Sequence, residues 1–314
     1  MDGIIVINKE SGYTSNDVVQ IVKKKLNEKV GHTGTLDPMA TGVLPLLVGK
    51  GTKCSKYILN HDKIYNATLK LGIKTDTGDI TGKEIKIEED EKKIEKIIND
   101  EALIKETLKN FEGEITQIPP IYSAIKVKGK KLYEYARVGQ TVEIEPRKIK
   151  IYKMEFISAK GREIEFRVSC SKGTYIRTLC EDIADKFKTV GTMSKLNREK
   201  VGDFSIENAI KLDEFDEKAY KYFIDMEEFF EKYKKITLSP RSFISFINGV
   251  KLFTDEENGI YRIYDINNKF IGTGIVNNGI LKRDICYWYF MYFLLKLICM
   301  LRGITNEKCI KINR

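Results

Sequence analysis

Hydrophobic and polar residues follow two periods along the chain, and each period predicts one kind of secondary structure. Apolar runs or strict alternation predict β-strands, and they occur at Gly3–Asn8, Tyr65–Leu71 and Glu163–Cys170. Apolar residues three and four positions apart predict amphipathic helices, and this spacing occurs at Asp17–Leu26, Glu88–Lys109 and Thr174–Phe187. The apolar stretch Gly42–Val48 fits either a second strand or the core of a turn.

Helix caps and turn residues bound the elements of the first half of the chain. Ser15 or Asn16 is in place to cap the first helix, because short polar side chains accept hydrogen bonds from free backbone N–H groups. Thr75–Asp79 has the composition of a turn, and Pro119-Pro120 is expected to end the long charged helix.

The second half of the chain has fewer residues that mark the ends of helices and strands. Pro240 predicts a linker, and Gly259–Gly274 predicts two short strands joined in a hairpin at Asn267-Asn268. Strands and helices are mixed along the whole chain without a regular βαβ rhythm. This order favours an α+β fold with an antiparallel or mixed sheet.

Composition narrows the class of protein. With 314 residues, 42% of them hydrophobic, the chain can form one sizeable domain and a smaller one. A net charge of +9 favours an anionic partner, with nucleic acid the first candidate and a membrane surface the second. A lysine-rich composition without any such partner is the alternative.

The cysteines and the two ends of the chain indicate where the protein works. The six cysteines are scattered, without a C-x-x-C pair or a histidine at ligand spacing, so we expect reduced thiols, no structural zinc and a cytoplasmic protein. The N-terminus shows no secretory signal pattern. Ile285–Leu301 is apolar over 17 residues apart from Lys296, just short of the roughly 20 that a membrane span needs. We expect a packed strand or helix there, with membrane association as the alternative.

The stretch Gly31–Lys50, GHTGTLDPMATGVLPLLVGK, carries the densest candidate chemistry. It does not match a phosphate-binding loop, because Gly42 and Gly49 have the wrong spacing and Gly51, not Ser or Thr, follows Lys50. A metal site also fails, since His32 and Asp37 find no further ligands nearby.

A catalytic carboxylate on a stiff turn fits this stretch better. Pro38 favours an extended conformation at Asp37, and Gly31, Gly34 and Gly42 allow sharp turns or a close approach to a ligand. A carboxylate presented in this way can act as a nucleophile or stabilise positive charge.

The motif GHTGTLDPMATGVL resembles the active-site motif of the TruB family, the bacterial tRNA pseudouridine-55 synthases. Further motifs of this family follow in order and at matching spacing up to about residue 230, at Lys70–Asp79, Gln117–Lys126, Leu132–Arg137, Ser169–Arg177 and Leu196–Arg198. The resemblance implies a pseudouridine synthase catalytic domain at residues 1–235, with a tRNA-binding insertion at 120–150. A small β-rich PUA-like RNA-binding domain is implied at 236–284, followed by an atypical apolar tail at 285–314.

The resemblance also implies an activity and its catalytic residues. The expected reaction is isomerisation of uridine 55 in the T loop of tRNA, which needs no metal, redox cofactor or nucleotide. Asp37 takes the position of the catalytic aspartate, Arg177 that of the arginine paired with it, and Tyr65 that of the active-site tyrosine. Tyr65, Tyr175 and Leu196 are implied to line the uridine pocket. His32 is implied to stack where the flipped base leaves its neighbours, and a general-base role is the alternative for this histidine.

The segment Pro120–Lys150 carries eight Lys or Arg residues against three acidic ones, with tyrosines between them. Cations interleaved with aromatic rings suit a phosphate backbone and unstacked bases. We expect tRNA binding by Lys126, Lys128, Lys130, Lys131 and Arg137. The expected partner is the T arm of tRNA and the expected state is a monomer. A guide-RNA-dependent relative of the dyskerin type and a non-catalytic tRNA-binding or tRNA-folding module are the alternative functions.

Overall fold

The computed structural model describes residues 2–287, which form two compact units. Residues 4–223 form the larger unit, and the smaller unit comprises residues 2–3 and 224–287. Among the described residues, no helix is long and apolar enough to cross a membrane. The element predicted at Ile285–Leu301 lies outside the described residues from residue 288 onward.

The larger unit contains one long mixed sheet with helices packed against it. The strands of this unit are β1 (Gly3–Lys9), β2 (Val30–His32), β3 (Thr41–Val48), β4 (Lys63–Leu71), β5 (Ile73–Thr75), β6 (Glu84–Ile87), β7 (Gly113–Gln117), β8 (Lys126–Val127), β9 (Lys130–Lys131), β10 (Arg147–Lys160), β11 (Glu163–Cys170), β12 (Gly191–Val201), β13 (Phe204–Ser205) and β14 (Ile210–Lys211). The pairs β5–β6 and β8–β9 form two small sheets of their own. Its helices are α1 (Ser15–Leu26), α2 (Ser55–Leu59), α3 (Glu91–Asn99), α4 (Glu101–Lys109), α5 (Leu132–Arg137) and α6 (Ile176–Lys186). Short 3₁₀ turns occur at Gly49–Cys54, Ile206–Asn208 and Glu217–Tyr222.

The long sheet has the order β14-β1-β3-β12-β4-β11-β10-β7. The pairs β1–β14 and β3–β12 are parallel, whereas β12–β4, β4–β11, β11–β10 and β10–β7 are antiparallel. Strand β3 is buried over nearly its whole length, as its continuous apolar sequence requires. The α+β fold with a mixed sheet predicted from the sequence is therefore confirmed.

The smaller unit is rich in β-structure. It contains β15 (Phe223–Asp225), β16 (Lys234–Thr237), β17 (Leu252–Phe253), β18 (Gly259–Tyr264), β19 (Phe270–Asn277) and β20 (Ile280–Cys286), with helices α7 (Met226–Phe229) and α8 (Pro240–Ile247). Five of these strands form a sheet of order β16-β18-β19-β20-β17. The predicted hairpin is confirmed, because β18 and β19 pair antiparallel around Asn268, which has φ +61°.

Two predicted boundaries, at the start of α1 and at Pro240, were wrong for local reasons. Thr14, one residue before the predicted caps, caps α1: its hydroxyl accepts from the Asp17 N–H at 3.1 Å, and the Asp17 carboxylate accepts from the Thr14 N–H at 2.8 Å. This reciprocal capping box selects Thr14 over Ser15. Pro240 is the first residue of α8, with Ser239 as its cap, and not a linker residue.

The helix predicted at Glu88–Lys109 is two helices. Asp100 ends α3 and caps α4 by accepting from the Leu103 N–H at 2.9 Å, so the chain turns at this residue although the apolar spacing continues. The helical pattern ends at Lys109, and the short strand β7 separates it from Pro119-Pro120.

Candidate active site

A cavity of about 730 Å³ opens in the larger unit and is named here the Asp37 cavity. Its lining includes candidates from widely separated parts of the sequence: His32, Asp37, Tyr65, Lys131, Arg137, Tyr175, Arg177 and Leu196. The predicted RNA-binding residues Lys126, Lys128 and Lys130 do not line it. A volume of this size falls within the range of small-ligand sites, roughly 300–1,000 Å³.

Asp37 lies on the loop between β2 and β3. The turn closes through a hydrogen bond from the Ala40 N–H to the Asp37 carbonyl at 3.0 Å, and the Pro38 carbonyl accepts from the Gly12 N–H at 2.9 Å. The Asp37 side chain keeps 27% of its surface exposed, at the wall of the cavity. The loop thus presents a carboxylate on a backbone that is fixed at both sides.

Arg177 approaches Asp37 from the first turn of α6. Its Nε lies 2.9 Å from Oδ2 and its Nη2 lies 3.2 Å from Oδ1, so the guanidinium meets both carboxylate oxygens. Further donors of Arg177 reach the carbonyls of Thr77 at 3.0 Å and Tyr122 at 2.9 Å. This bidentate contact fixes the plane of the carboxylate as well as its position.

The charge balance at Asp37 is a compromise between burial and pairing. Burial raises the pKa of the Asp37 carboxyl, Arg177 opposes the rise, the nearby Asp79 carboxylate adds to it, and Lys9 opposes it. The net result is a pKa above the usual value for aspartate. Arg177 therefore offsets the cost of burying this charge only in part.

Lys9 is a site residue that the sequence reasoning missed. Its side chain is fully buried and its ammonium donates to the carbonyls of Glu10 at 2.8 Å, Tyr13 at 2.7 Å and Pro38 at 3.2 Å. Burial lowers the pKa of Lys9 to about 8, with the Asp37 carboxylate opposing the fall. The bond to Pro38 ties the residue after Asp37 to the end of β1.

Tyr65 and Leu196 contribute the apolar floor of the cavity. Both side chains are almost fully buried, Tyr65 on β4 and Leu196 on the adjacent β12. Burial raises the pKa of Tyr65, although the guanidinium of Arg198 opposes the rise. The phenol is therefore protonated at neutral pH and available as a hydrogen-bond donor.

His32 is a neutral ring at the cavity wall. Burial lowers the pKa of His32, and the Arg198 charge lowers it further. Within the described part of the chain, its buried Nδ1 finds no hydrogen-bond partner. These surroundings suit a ring that stacks on a base.

Tyr175 is held through its backbone by Gln117, a second residue that was missed. The Tyr175 N–H donates to Gln117 Oε1 at 2.8 Å, and Gln117 Nε2 donates to the Tyr175 carbonyl at 3.1 Å. Gln117 is buried at the end of β7, and its only sequence signal was its place in the motif Gln117–Lys126.

The insertion divides its cations into two groups. Lys126, Lys128 and Lys130 are exposed on the hairpin β8–β9 and do not line the cavity. Lys131 and Arg137 line the cavity and lie over the ring of Tyr133, 5.3 and 5.2 Å from its centroid. Within residues 2–287, no group of three or more His, Cys, Asp or Glu side chains is arranged to hold a metal ion.

Solved structures define the class of protein. A chain in the structure described as a Cbf5-Nop10-Gar1 complex is 28% identical to this chain, with a TM-score of 0.60 over 87% of this chain and 78% of that one. The shared architecture is the pseudouridine synthase fold, with a β-rich C-terminal unit.

Sequence comparison defines the family. Profiles for the "TruB family pseudouridylate synthase (N terminal domain)", the "tRNA pseudouridylate synthase B C-terminal domain" and "Pseudouridine synthase II TruB, C-terminal" match residues 21–176, 177–237 and 235–282. The tRNA pseudouridine synthase B of Clostridium tetani is 47% identical over 284 residues, covering 87% of this chain and 95% of that protein. The protein of the same name from Caldanaerobacter subterraneus subsp. tengcongensis is 43% identical over 279 residues, covering 88% and 95%. This chain belongs to the TruB family, which confirms the resemblance drawn from its motifs.

Proposed function

We propose that this protein isomerises uridine to pseudouridine at position 55 of the tRNA T loop. The observation that carries the proposal is the Asp37 carboxylate, gripped on both oxygens by Arg177 at the wall of a cavity that Tyr65 also lines. Family membership supplies the substrate class, since the similar proteins are tRNA pseudouridine synthases.

The reaction redistributes the atoms of one nucleotide. The N1–C1′ bond breaks, the base turns, C5 bonds to C1′, the hydrogen on C5 leaves and N1 gains a hydrogen. Positive charge develops on the sugar during cleavage, as in glycoside hydrolysis, where a carboxylate meets an oxocarbenium-like centre. Asp37 takes this role in its ionised form, either bonding to the sugar or stabilising its charge. Arg177 keeps the carboxylate in place and favours ionisation.

The cavity receives a nucleotide that has left its stack. Extrusion of a base costs a few kcal/mol, which contacts in the cavity must offset. Tyr65, Tyr175 and Leu196 provide ring and aliphatic surface for the uracil, and the neutral His32 stacks where the base has left its neighbours.

RNA binding involves the insertion and the smaller unit. The exposed lysines of β8–β9 bind phosphates of the T arm, while Lys131 and Arg137 bind at the cavity mouth. Residues 236–284 act as a PUA-like RNA-binding domain. The protein works as a cytoplasmic monomer. It uses no metal or nucleotide cofactor, because the isomerisation needs neither electrons nor a phosphoryl group from outside.

A guide-RNA-dependent synthase is the second candidate, favoured by the fold match to a chain described as part of a Cbf5-Nop10-Gar1 complex. The higher identity to tRNA pseudouridine synthase B proteins favours the stand-alone enzyme. A non-catalytic tRNA-binding module is the third candidate, but a pure binder gains nothing from a carboxylate in a site for an anionic RNA.

One incubation separates these candidates. Purified protein and an unmodified tRNA transcript, without any other RNA, are expected to yield pseudouridine at position 55, mapped by chemical labelling and reverse transcription. Asp37→Asn keeps the shape of the side chain but removes its charge, and should lower the rate about 10³-fold or more. Modification at another position, dependence on an added guide RNA, or undiminished product with Asp37→Asn would contradict the proposal.

A further inference from the structure

Arg198 is a buried guanidinium that none of the roles above includes. It lies on β12 with 1% of its surface exposed, and it lines the Asp37 cavity. An arginine at such a place is costly unless its donors are satisfied. Its Nε donates to the Val43 carbonyl at 2.8 Å and its Nη2 to the Gly34 carbonyl at 3.1 Å, with a longer contact of 3.5 Å from Nη1 to the Thr35 carbonyl.

These carbonyls flank Asp37 on both sides. Gly34 and Thr35 precede the catalytic aspartate, and Val43 follows it in β3. The backbone of Arg198 also packs on this loop, because Arg198 is the register partner of Gly42 in the parallel pair β12–β3. One residue therefore grips the start and the end of the Asp37 loop.

The same guanidinium lies beside Tyr65. Arg198 and Tyr65 are register partners in the antiparallel pair β12–β4, so their side chains are neighbours on one face of the sheet, and the Arg198 charge opposes the rise in the pKa of the Tyr65 phenol. Because a guanidinium carries no acceptor, the phenol cannot donate its hydrogen to Arg198. The hydrogen of the phenol itself is then free for a group in the cavity that both residues line.

We propose that Arg198 is a positioning residue for the isomerisation, which holds the loop of Asp37 and the hydroxyl of Tyr65 in one rigid frame. This inference rests on the proposed function and deepens it. The positive charge behind the phenol oxygen strengthens the hydrogen bond that Tyr65 donates to the uracil, which carries the electron pair of the broken N1–C1′ bond. The role needs the fork geometry of arginine, and lysine cannot reproduce it.

Arg198→Lys is the central variant, because it keeps the charge and much of the stem but offers one nitrogen in place of three. The matched control is Arg167→Met on β11, which is separated from β12 by β4 in the same sheet; this arginine is exposed and pairs with Glu199 and Glu155. For each variant we would measure melting temperature, affinity for tRNA and the single-turnover rate of pseudouridine formation.

We expect Arg198→Lys to bind tRNA within about threefold of the wild type and to lose about 10- to 100-fold in single-turnover rate. Arg167→Met should stay near the wild type in rate. A rate for Arg198→Lys within about twofold of the Arg167→Met rate would overturn the proposal. A wild-type protein that makes no pseudouridine would instead refute the proposed function itself.

A double-mutant cycle separates positioning through Tyr65 from general loss of structure. If Arg198 acts through the phenol, Arg198→Lys should cost at least about fivefold less in a Tyr65→Phe background. If Tyr65→Phe is too slow to measure, protein labelled with 3-fluorotyrosine gives the answer by ¹⁹F NMR. The Tyr65 signal is assigned by its loss in Tyr65→Phe. It should titrate at higher pH in Arg198→Met than in the wild type, because the variant loses the cation that lowers the pKa of Tyr65 but keeps Asp37 and Cys170, which raise it. Multiplicative rate losses, or an unchanged titration where the cycle is unmeasurable, would overturn the proposal.

Discussion

The side chain of Gln117 hydrogen-bonds to both backbone groups of Tyr175, accepting from its N–H at 2.8 Å and donating to its carbonyl at 3.1 Å. Tyr175 is the residue immediately before α6, and Arg177 lies in the first turn of this helix. Gln117 ends β7, so this pair of bonds joins the edge of the sheet to the helix that carries the partner of Asp37. The position of Arg177 thus depends on a residue that does not line the cavity.

Gln117→Leu should slow the reaction more than it weakens tRNA binding. Leucine fits the volume but leaves the Tyr175 N–H without its partner and leaves the Tyr175 carbonyl with only the bond from the Leu179 N–H, so the start of α6 can shift by a fraction of an ångström. A misplacement on that scale costs about 10- to 100-fold in rate. Single-turnover rates and tRNA affinities would be compared with Thr178→Ala, which removes an exposed contact between the same segments, from the Thr178 hydroxyl to the Ile118 carbonyl at 3.4 Å. Equal rates for the two variants would contradict the predicted effect.

Removal of Arg177 should make the reaction depend more steeply on acid pH. Burial already raises the pKa of Asp37, and Arg177 is the largest opposing influence. Without the guanidinium this pKa rises further, so on acidification Asp37 loses its charge at a higher pH than in the wild type, and the rate falls with it. We expect the loss in Arg177→Met, relative to the wild type, to be larger at pH 6 than at pH 8.

The wild type corrects this comparison for other titrations, including that of Lys9, whose pKa is about 8. Arg177→Lys provides a graded control, because it retains a positive charge without the bidentate contact. The fall in the rate of Arg177→Lys on acidification should lie between the falls measured for the wild type and for Arg177→Met. A loss of the same size at both pH values would show that Arg177 does not control the ionisation of Asp37.

Replacing Lys126, Lys128, Lys130 and Lys131 together by Met should weaken tRNA binding and reduce its dependence on salt. Each cation that neutralises a phosphate releases counterions, so losing four should lower the slope of log affinity against log salt by about 3. The matched control replaces the helix-borne Lys92, Lys96, Lys105 and Lys109, which changes the net charge equally but lies outside the insertion. Affinity measured from 50 to 300 mM salt would test the difference, and two variants with the same slope would remove the insertion from the binding surface.

Local signals in the sequence were enough for β1, β4 and β11 of the long sheet and for the hairpin β18–β19, but the long strands β10 and β12 were not predicted. The long motif around Asp37 was enough for the family. The capping error shows the limit of such signals, because Thr14, Ser15 and Asn16 are all good caps and only the carboxylate of Asp17 decides among them. Asp100 was missed for a related reason, since apolar spacing continues through the break between α3 and α4.

Lys9, Gln117 and Arg198 were missed because their partners are distant in sequence. The side chains of Lys9 and Arg198 donate chiefly to backbone carbonyls, and Gln117 binds both backbone groups of Tyr175. A backbone carbonyl has no residue-specific signature, so no pattern of side chains could reveal these bonds. The resemblance located the groups that act on the substrate, whereas the structure was needed for the groups that hold them.

The close approach of Gly42 to the backbone of Arg198 can be tested by measuring stability. It has φ +105°, and a Cβ at this position would lie 2.2 Å from the carbonyl oxygen of Arg198. Gly42→Ala therefore combines an unfavourable backbone conformation with an overlap against backbone that cannot move without opening the β3–β12 pair. We expect a loss of more than about 3 kcal/mol in unfolding free energy. The control is Gly129→Ala, at φ +85° with no atom within 4 Å of the added Cβ, which should cost only about 1–2 kcal/mol. Urea denaturation of both variants measures the difference, and equal losses would show that the close approach of Arg198 adds nothing to the requirement for glycine.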